Sequence, residues 1–328
     1  MSRPKVFVTV PLEGQLEARL AELCEVSRWT GEGRCPSELL EREVADAQAL
    51  LGYAPFSAAM MDKAPALRII ATSSVGFDHV DVAAATQRGI LVTNTPDVLT
   101  DTTADLAFAL MMAVARRIGE AERLTRAGCW GKGVDSTKLL GCDVHHATLG
   151  IVGLGRIGAA VAERSIGFHM KVLYHDFVRR EDLERRFGYR YVDLETLLRE
   201  SDFVTLHVPL LPETRGMIGA AQLALMKPTA YLINAARGPI VDERALIDAL
   251  RGGKIAGAGL DVFEQEPIDP ENPLLKMENV VVLPHVGSAT VATRRAMAEL
   301  AADNVLAVLQ GQPPLTPVNP EVLPRVRK

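Results

Sequence analysis

Residues 147–158 of this 328-residue chain read Ala-Thr-Leu-Gly-Ile-Val-Gly-Leu-Gly-Arg-Ile-Gly, and this stretch decides the fold. The run Leu-Gly-Ile-Val is continuously apolar, which is typical of a strand buried on both faces of a parallel sheet. A Gly-x-Gly-x-x-Gly turn follows, and residues 156–167 continue in a helical pattern. A strand, a glycine-rich turn and a helix in this order predict a dinucleotide-binding unit, because amides at the start of such a helix bind a pyrophosphate.

A carboxylate downstream of this turn bears on the choice of cofactor. Asp176 directly follows the next predicted strand, residues 171–175, and would accept hydrogen bonds from the adenine ribose hydroxyls. It would repel the 2′-phosphate of NADP, which favours NAD. Arg179 and Arg180 follow closely and could bind that phosphate, so NADP stays possible.

Short β-branched runs alternate with longer amphipathic segments along nearly the whole chain. This alternation predicts α/β architecture, with two doubly wound parallel-sheet domains covered by helices on both faces. The predicted strands are residues 5–10, 49–51, 67–72, 90–93, 147–152, 171–175, 203–208, 231–234, 255–261 and 280–283.

Domain boundaries are expected near the start and the end of the second series of strands. A long helix, 101–117, follows a seam near 95–97, and a last helix, 290–310, is expected to return to the first domain. The first domain is then discontinuous. The expected arrangement is a flavodoxin-like substrate domain, 1–98 with 289–328, and an inserted Rossmann NAD(P)-binding domain, 99–288.

Composition narrows the class of protein. Apolar residues make up 48% and the formal net charge is −5, which suits a globular protein and argues against nucleic acid as a partner. The four cysteines show no zinc spacing, so we expect no metal. The longest apolar run, 106–115, is about half of a membrane span, and the N-terminus lacks the pattern of an export signal. A cytoplasmic protein without membrane contact is expected.

Two side chains that could carry chemistry follow predicted strands, at the edge where ligands bind in open α/β folds. Arg237 comes after strand 231–234, and its planar fork could hold a carboxylate by two hydrogen bonds. His285 comes after strand 280–283, and imidazole is a suitable proton donor near neutral pH. Position alone also fits a surface arginine and an ordinary loop histidine.

Several motifs, taken in order, resemble those of the D-isomer-specific 2-hydroxyacid dehydrogenases, and the resemblance covers essentially the whole chain. The family implies an NAD(P)-dependent oxidoreductase acting on the CH-OH group of its donors. The motifs are the glycine turn, His207-Val208-Pro209-Leu210 with Thr214, Asn234-Ala235-Ala236-Arg237-Gly238, Leu260-Asp261-Val262-Phe263-Glu264-Gln265-Glu266-Pro267, and Pro284-His285-Val286-Gly287-Ser288-Ala289-Thr290.

The resemblance implies a catalytic set of Arg237, Glu266 and His285. The family's acid is the second glutamate of its Glu-x-Glu-Pro pattern, hence Glu266. Glu264 would point to the same side of an extended segment, so geometry alone does not choose between the two.

The resemblance also implies the binding residues. Asp261 is similar to the family residue near the nicotinamide amide, and the amides of Val75 and Gly76 would receive the substrate carboxylate. The cofactor set is Thr103, Gly153, Leu154, Gly155, Arg156, Ile157, Gly158, Asp176, His207, Val208, Pro209, Thr214, Ala235, Ala236, Arg237, Asp261, His285 and Gly287. The substrate set is Val75, Gly76, Arg237, His285 and Ser288.

Within the family, the chain looks most like the glyoxylate/hydroxypyruvate reductases, on residues 99–105 and 285–290. A small 2-keto acid is therefore the expected substrate. The 2-ketogluconate reductases (gluconate 2-dehydrogenases) share much of the pattern and are the nearest alternative. Phosphoglycerate dehydrogenases usually end the histidine motif in a different order.

Other relatives fit less well. Phosphite dehydrogenases carry lysine where this chain has Val75, and formate dehydrogenases place glutamine beside the histidine. Corepressors of this fold, which sense the cofactor and bind peptides, usually have longer tails. Residues 126–146, which include Trp130 and Gly133, lie where the family forms its dimer, so a homodimer is expected.

Overall fold

The computed structural model describes residues 3–131 and 136–326. Contacts between Cα atoms divide the chain into two compact units, one formed by Met1–Leu99 with Ser288–Lys328 and the other by Thr100–Gly287. Each unit contains one sheet, and every pairing between neighbouring strands in both sheets is parallel. The predicted fold class, two doubly wound α/β domains, is confirmed.

The sheet of the first unit has the strand order β2-β1-β3-β4-β5, the flavodoxin-like order. Its strands are β1 (Lys5–Val8), β2 (Glu25–Arg28), β3 (Ala49–Gly52), β4 (Ile69–Thr72) and β5 (Leu91–Thr93). Its helices are α1 (Gly14–Leu23), α2 (Ser37–Val44), α3 (Ala58–Asp62), α4 (Val82–Gln87) and, from the end of the chain, α12 (Val291–Leu309).

Both faces of this sheet are buried. Val6 and Val8 of β1 contact one apolar cluster, which includes α1 and α12, whereas Phe7 belongs to a second cluster with α2, α3 and α4. Side chains alternate between the faces of a strand, so neighbouring residues of β1 must enter different cores. The run Val-Phe-Val is therefore apolar throughout.

The sheet of the second unit has the order β12-β11-β10-β9-β6-β7-β8, which contains the Rossmann order 3-2-1-4-5-6. The strands are β6 (Thr148–Val152), β7 (Lys171–His175), β8 (Arg190–Tyr191), β9 (Phe203–Leu206), β10 (Tyr231–Asn234), β11 (Gly257–Leu260) and β12 (Val280–Val282). The helices are α5 (Thr100–Ala115), α6 (Ile118–Arg126), α7 (Arg156–Ile166), α8 (Glu181–Phe187), α9 (Leu194–Glu200), α10 (Ala220–Leu223) and α11 (Glu243–Arg251).

Helix α5 contains the longest apolar run of the chain and packs inside the second unit against α7, β10 and β11. Ala107, Leu110 and Met111 on this helix are all buried. Burial in a domain core therefore accounts for its hydropathy. Within residues 3–131 and 136–326, no helix is long and apolar enough to cross a membrane.

Two strands lack a counterpart in the sequence analysis, and both lie at a sheet edge. β2 reads Glu-Val-Ser-Arg and β8 is only two residues long. An edge strand is partly solvated, so it does not need the apolar run that marks a central strand. The predicted strand 203–208 is also too long, because β9 ends at Leu206 and the residues after it form a loop of the candidate site.

The segment after α12 is held to the first unit by two buried asparagines. Asn304 on α12 accepts hydrogen bonds from the amides of Leu315 and Thr316 and donates to Thr316 Oγ1. Asn319 accepts from the amide of Val92 in β5. Leaving a buried side-chain amide without its partners costs more free energy than its hydrogen bonds contribute to stability. These contacts therefore determine the path of the tail.

We expect Asn304→Ala to lower the free energy of unfolding by about 2 kcal/mol, since it removes the acceptor of two partly buried amides of the tail. Urea denaturation measures this change. Gln312→Ala, on the exposed part of the same tail, is the control and should be near neutral. Equal stability of the two variants would contradict the role given to Asn304.

Candidate active site at the carboxyl edge of the second sheet

Six loops that carry the predicted site residues of the second unit leave the same edge of its sheet. Because all strands are parallel, the loops that follow them meet at one edge. From one side of the sheet to the other, the loop after β12 carries His285, the loop after β11 carries Asp261 and Glu266, and the loop after β10 carries Arg237. The loop after β9 carries His207, the loop after β6 is the glycine turn, and the loop after β7 carries Asp176. Neighbouring strands are about 4.8 Å apart, so the six loops extend over about 24 Å along this edge of the sheet.

The glycine turn between β6 and α7 has the geometry of a phosphate loop. Gly153 has a left-handed φ of 94°, and a Cβ at Gly158 would lie 2.0 Å from the carbonyl oxygen of Gly153. A Cβ at Gly155 would meet open space within 4 Å. Gly153 and Gly158 thus close the turn, while Gly155 leaves room for an anion at the first amides of α7. Arg156 and Ile157 are the first residues of that helix.

Asp176 lies beside this turn. Its Oδ2 accepts a hydrogen bond from the amide of Leu154 at 2.6 Å, and its Oδ1 accepts from the amide of Val178 at 3.1 Å. These bonds orient the carboxylate, and each oxygen keeps a lone pair for a further donor. Tyr191, in the edge strand β8, donates to the carbonyl oxygen of Asp176.

The loop after β9 lies across the point where the strand order reverses. A Cβ at Gly153 would lie 2.8 Å from the carbonyl carbon of His207, so glycine permits these two loops to touch. Thr214 is buried, donates to the carbonyl oxygen of Pro209 and accepts from the amide of Leu211. The loop that carries Val208 and Pro209 is therefore closed by one threonine.

His207 is held in its neutral form. Its Nε2 is 2.8 Å from Thr205 Oγ1. Burial lowers the pKa of His207 to about 4, because the charged imidazolium loses its hydration. A neutral ring at this position adds no charge to the predicted cofactor edge.

Arg237 stands on a loop that a buried asparagine shapes. Asn234, the last residue of β10, accepts from the amide of Ala236 and donates to the carbonyl oxygen of Arg237. Arg237 Nη1 donates to the carbonyl oxygen of Ala236 at 2.7 Å. Asn234 was not predicted to shape this loop, although an asparagine that accepts from a backbone amide two residues later is a known turn signal.

Gly238 brings the arginine loop against the loop that follows β11. A Cβ on Gly238 would lie 1.8 Å from the carbonyl oxygen of Phe263 and 2.5 Å from the amide nitrogen of Glu264. No side chain fits there, so glycine is required by close approach of two backbones. This approach places Arg237 next to the segment that carries Glu266.

Glu266 and His285 form a direct pair. His285 Nδ1 lies 2.8 Å from Glu266 Oε2, and Glu266 Oε1 accepts from the amide of Phe263 at 3.2 Å. Burial acts to raise the pKa of Glu266, but the hydrogen bond and charge of His285 and the charge of Arg237 outweigh it and lower that pKa. Glu266 is therefore a carboxylate at neutral pH.

The structure distinguishes Glu266 from its neighbour Glu264, which the sequence could not do. Glu264 is exposed, and its amide donates to Glu243 Oε2 on α11. The side chain of Glu266 is 21% exposed and contacts the imidazole. Of the two glutamates, Glu266 is the one that pairs with His285.

Asp261 holds the histidine loop from below. It is 1% exposed, and its two carboxylate oxygens accept from the amides of Val286 and Gly287, each at 2.8 Å. The amide of His285 donates to the carbonyl oxygen of Asp261. Burial raises the pKa of Asp261 despite these bonds. Asp261 therefore positions the loop through its hydrogen bonds to three backbone amides.

The other predicted residues of this unit lie around the same edge. Ala235 directly follows β10, and Thr103 is buried on α5. A Cβ on Gly287 would lie 3.4 Å from Thr103 Cγ2, so these two predicted cofactor residues are close neighbours. No group of three histidine, cysteine, aspartate or glutamate side chains in the described part of the chain could hold a metal ion.

The predicted substrate residues Val75, Gly76 and Ser288 belong to the first unit. Ser74 Oγ donates to the carbonyl oxygen of Gly76, and Asn94 Nδ2 donates to that of Val75. Both carbonyl groups are thereby turned into the loop. No described residue accepts a hydrogen bond from the amides of Val75 and Gly76. Ser288 precedes Thr290, whose side chain caps α12.

Comparison with known proteins relates this geometry to one family. The profile of the family described as D-isomer specific 2-hydroxyacid dehydrogenase, NAD binding domain, matches residues 108–287. A glyoxylate reductase of Korarchaeum cryptofilum is 52% identical over 98% of this chain and 97% of its own length. A glyoxylate reductase of Thermofilum pendens is 49% identical over 98% of this chain and 96% of its own.

A solved structure has the same architecture. It is an NADPH-dependent glyoxylate/hydroxypyruvate reductase of Sinorhizobium meliloti, in complex with NADP and malonate. It is 39% identical, with a TM-score of 0.87 over 100% of this chain and 99% of its own. The likeness therefore extends over both units.

Because its pKa lies near 4 in the folded chain and near 6.5 when unfolded, His207 should destabilise the fold in weak acid. The unfolded chain binds the proton first, so this contribution is complete above pH 6.5 and is lost as the pH falls towards 4. When the pH is lowered from 7 to 4.5, the free energy of unfolding should fall in both the parent and His207→Gln. We expect the fall to be about 2 kcal/mol larger in the parent. Urea titrations at both pH values measure it, and parallel losses would contradict it.

Proposed function

Since the chain belongs to the D-isomer-specific 2-hydroxyacid dehydrogenase family, we propose that it reduces a small 2-keto acid of the glyoxylate and hydroxypyruvate type to the D-2-hydroxy acid. The observation that carries the proposal is the 2.8 Å pair of His285 with Glu266, beside Arg237. The printed names of the most similar relatives support this substrate class.

His285 is the proposed proton donor. Glu266 accepts at Nδ1, so the imidazole presents Nε2 to the substrate. The carboxylate of Glu266 orients the ring through this contact. As the ketone becomes an alkoxide, Nε2–H is the proton source.

Arg237 is the proposed carboxylate and ketone ligand. Its guanidinium offers a planar pair of donors that suits a carboxylate. A fixed positive charge stabilises the developing alkoxide more than it stabilises the neutral ketone, which is the requirement for catalysis. The bonds of Asn234 to the loop orient this residue.

The residues of the edge fit a nicotinamide dinucleotide, which supplies the hydride when bound. The open space at Gly155, at the start of α7, suits the pyrophosphate. Asp176 suits the adenine ribose, and we propose NAD as the preferred cofactor, because a 2′-phosphate would meet this carboxylate. The loops with His207, Val208 and Pro209 are proposed to line the cofactor.

We further propose the division of labour between the units. Residues 99–288 would bind the cofactor, and residues 1–98 with 289–328 would contribute Val75 and Gly76 to the substrate. Ser288, at the boundary of the two ranges, would also contact the substrate. The amides of Val75 and Gly76 suit a carboxylate, because both neighbouring carbonyl groups are engaged in the loop. A cytoplasmic location also belongs to this proposal.

A homodimer is part of the same proposal. Helix α6 has no buried residue although it is amphipathic, and Ile118 at its start is 51% exposed. Trp130 and Leu140 are exposed by 83% and 72%, while Gly133 lies outside the described residues. Exposed apolar side chains of this number in one segment are typical of a protein–protein interface.

Loss of NADH absorbance with glyoxylate, hydroxypyruvate, 2-ketogluconate and pyruvate tests the activity. We expect turnover with a short keto acid and a fall in kcat/KM of about a thousandfold in His285→Ala and in Arg237→Ala. Glu264→Gln is the matched control for Glu266→Gln and should retain activity, because only Glu266 contacts the imidazole.

Two results would contradict the proposal. Turnover that survives in His285→Ala would exclude this residue as the proton donor. A clear preference for 2-ketogluconate would move the chain to the nearest alternative subfamily.

Light scattering at micromolar concentration should give twice the 35.5 kDa mass of one chain. We expect Ile118→Glu to shift the mass towards one chain, because a charge in an apolar interface is costly. Val291→Glu, at an exposed apolar position of α12, is the control and should stay dimeric. A parent of monomer mass would refute the homodimer.

A further inference from the structure

Two arginines lie beyond Asp176, at the end of the cofactor edge, and each forms a two-point ion pair. Arg180 donates through Nε and Nη2 to the two oxygens of Asp182, at 3.0 and 2.9 Å. Arg179 donates through Nε and Nη2 to the two oxygens of Glu184, both at 2.8 Å. The Nε–Nη2 edge of each guanidinium is therefore occupied by a carboxylate.

Arg180 is the arginine that reaches the phosphate loop. Its Nη1 lies 3.4 Å from the carbonyl oxygen of Leu154, whose amide donates to Asp176 Oδ2. Its guanidinium therefore lies close to the carboxylate proposed to bind the adenine ribose. A 2′-phosphate on that ribose would be within the neighbourhood of this side chain.

Arg179 belongs to a hydrogen-bond network that stabilises the fold. Its partner Glu184 also accepts from the hydroxyl of Tyr174, and that hydroxyl in turn accepts from the amide of Arg180. The Arg179 guanidinium lies 5.6 Å from the centre of the Tyr191 ring. Release of Arg179 would break this network, whereas the Arg180–Asp182 pair lies at the surface and its aspartate is 61% exposed.

We propose that Asp182 is a specificity-determining residue that sets the preference for NADH over NADPH. It pairs with Arg180 and occupies its Nε–Nη2 edge, so a 2′-phosphate would meet the negative charge of Asp176 while Arg179 and Arg180 are both held by carboxylates. This inference rests on the proposed function, because it requires that a dinucleotide binds at the glycine turn.

The pair persists through the working range of pH. The hydrogen bonds and charge of Arg180 lower the pKa of Asp182 to about 2. Asp182 therefore remains ionised and paired at neutral pH, and only substitution removes its charge.

The test uses the adenosine halves of the two cofactors, 5′-AMP and 2′,5′-ADP, titrated calorimetrically into the full-length parent and into Asp182→Asn. We expect the affinity for 2′,5′-ADP relative to 5′-AMP to rise about tenfold in Asp182→Asn. Arg180→Ala combined with Asp182→Asn should remove that gain, because the freed guanidinium produces it. The ratio of kcat/KM with NADPH to that with NADH should rise in parallel.

Glu181→Gln is the matched control, since Glu181 is an exposed carboxylate of the same helical turn and its side chain forms no ion pair with any described residue. The proposal would be overturned if the affinity for 2′,5′-ADP relative to 5′-AMP in Asp182→Asn stayed within twofold of the parent value. An equal rise in Glu181→Gln, or a rise that survives in the double variant, would also overturn it. A parent that binds neither nucleotide would overturn the cofactor site as well.

The proposed function fails in a different way. The two nucleotides lack nicotinamide, so their binding does not depend on any keto acid. Nucleotide binding without keto-acid turnover would contradict the proposed substrate class. The role of Asp182 would still be decided by the nucleotide titrations alone.

Discussion

The buried carboxylate of Asp261 is the interaction on which the candidate catalytic end depends. It receives two backbone amides of the loop after β12 and leaves His285 with a φ of 55°. A left-handed residue other than glycine costs about 1 to 2 kcal/mol, so this conformation persists only because the surrounding bonds require it. The position of the imidazole, and hence its contact with Glu266, follows from a carboxylate that does not itself touch the ring.

Other loops along this edge are also positioned by single residues that act on the backbone. Asn234 shapes the arginine loop and Thr214 closes the loop after β9, each through bonds to backbone groups. Gly153 and Gly238 act by having no side chain, since each permits two loops to come within contact of one another. Positioning by backbone contacts is rigid, because loops tied to strand ends cannot shift without breaking buried bonds.

Ionisable side chains form two clusters along this edge. Arg237, Glu266 and His285 form a cluster of ionisable groups at one end, and Asp176 with the pairs of Arg179 and Arg180 forms another at the far end. Between them, desolvation of the half-buried His207 lowers its pKa to about 4, so this ring is neutral near pH 7. Strands β9 and β6 lie between the two clusters, so the side chains of one cluster do not contact those of the other.

The strongest predictions from sequence are those that depend on local pattern. Central strands of both sheets, the glycine turn and helices α5, α7 and α12 follow from apolar runs and turn residues, whose physical reason lies within a few positions of the chain. The edge strands β2 and β8 escaped prediction because solvated strands need no apolar pattern. The motifs placed Arg237 and His285 after strands, where the structure has them.

What the sequence determined by itself is the fold class, the family and the identity of the residues at the strand ends. What only the tertiary structure decided is which of these residues meet. Glu264 and Glu266 are two positions apart and chemically identical, and only the approach of two backbones at Gly238 and the loop held by Asp261 show that His285 contacts Glu266. Likewise, the arginines that could have bound a 2′-phosphate are already paired. Such contacts join residues distant in the chain or depend on side-chain orientation, and neither is encoded in a local pattern.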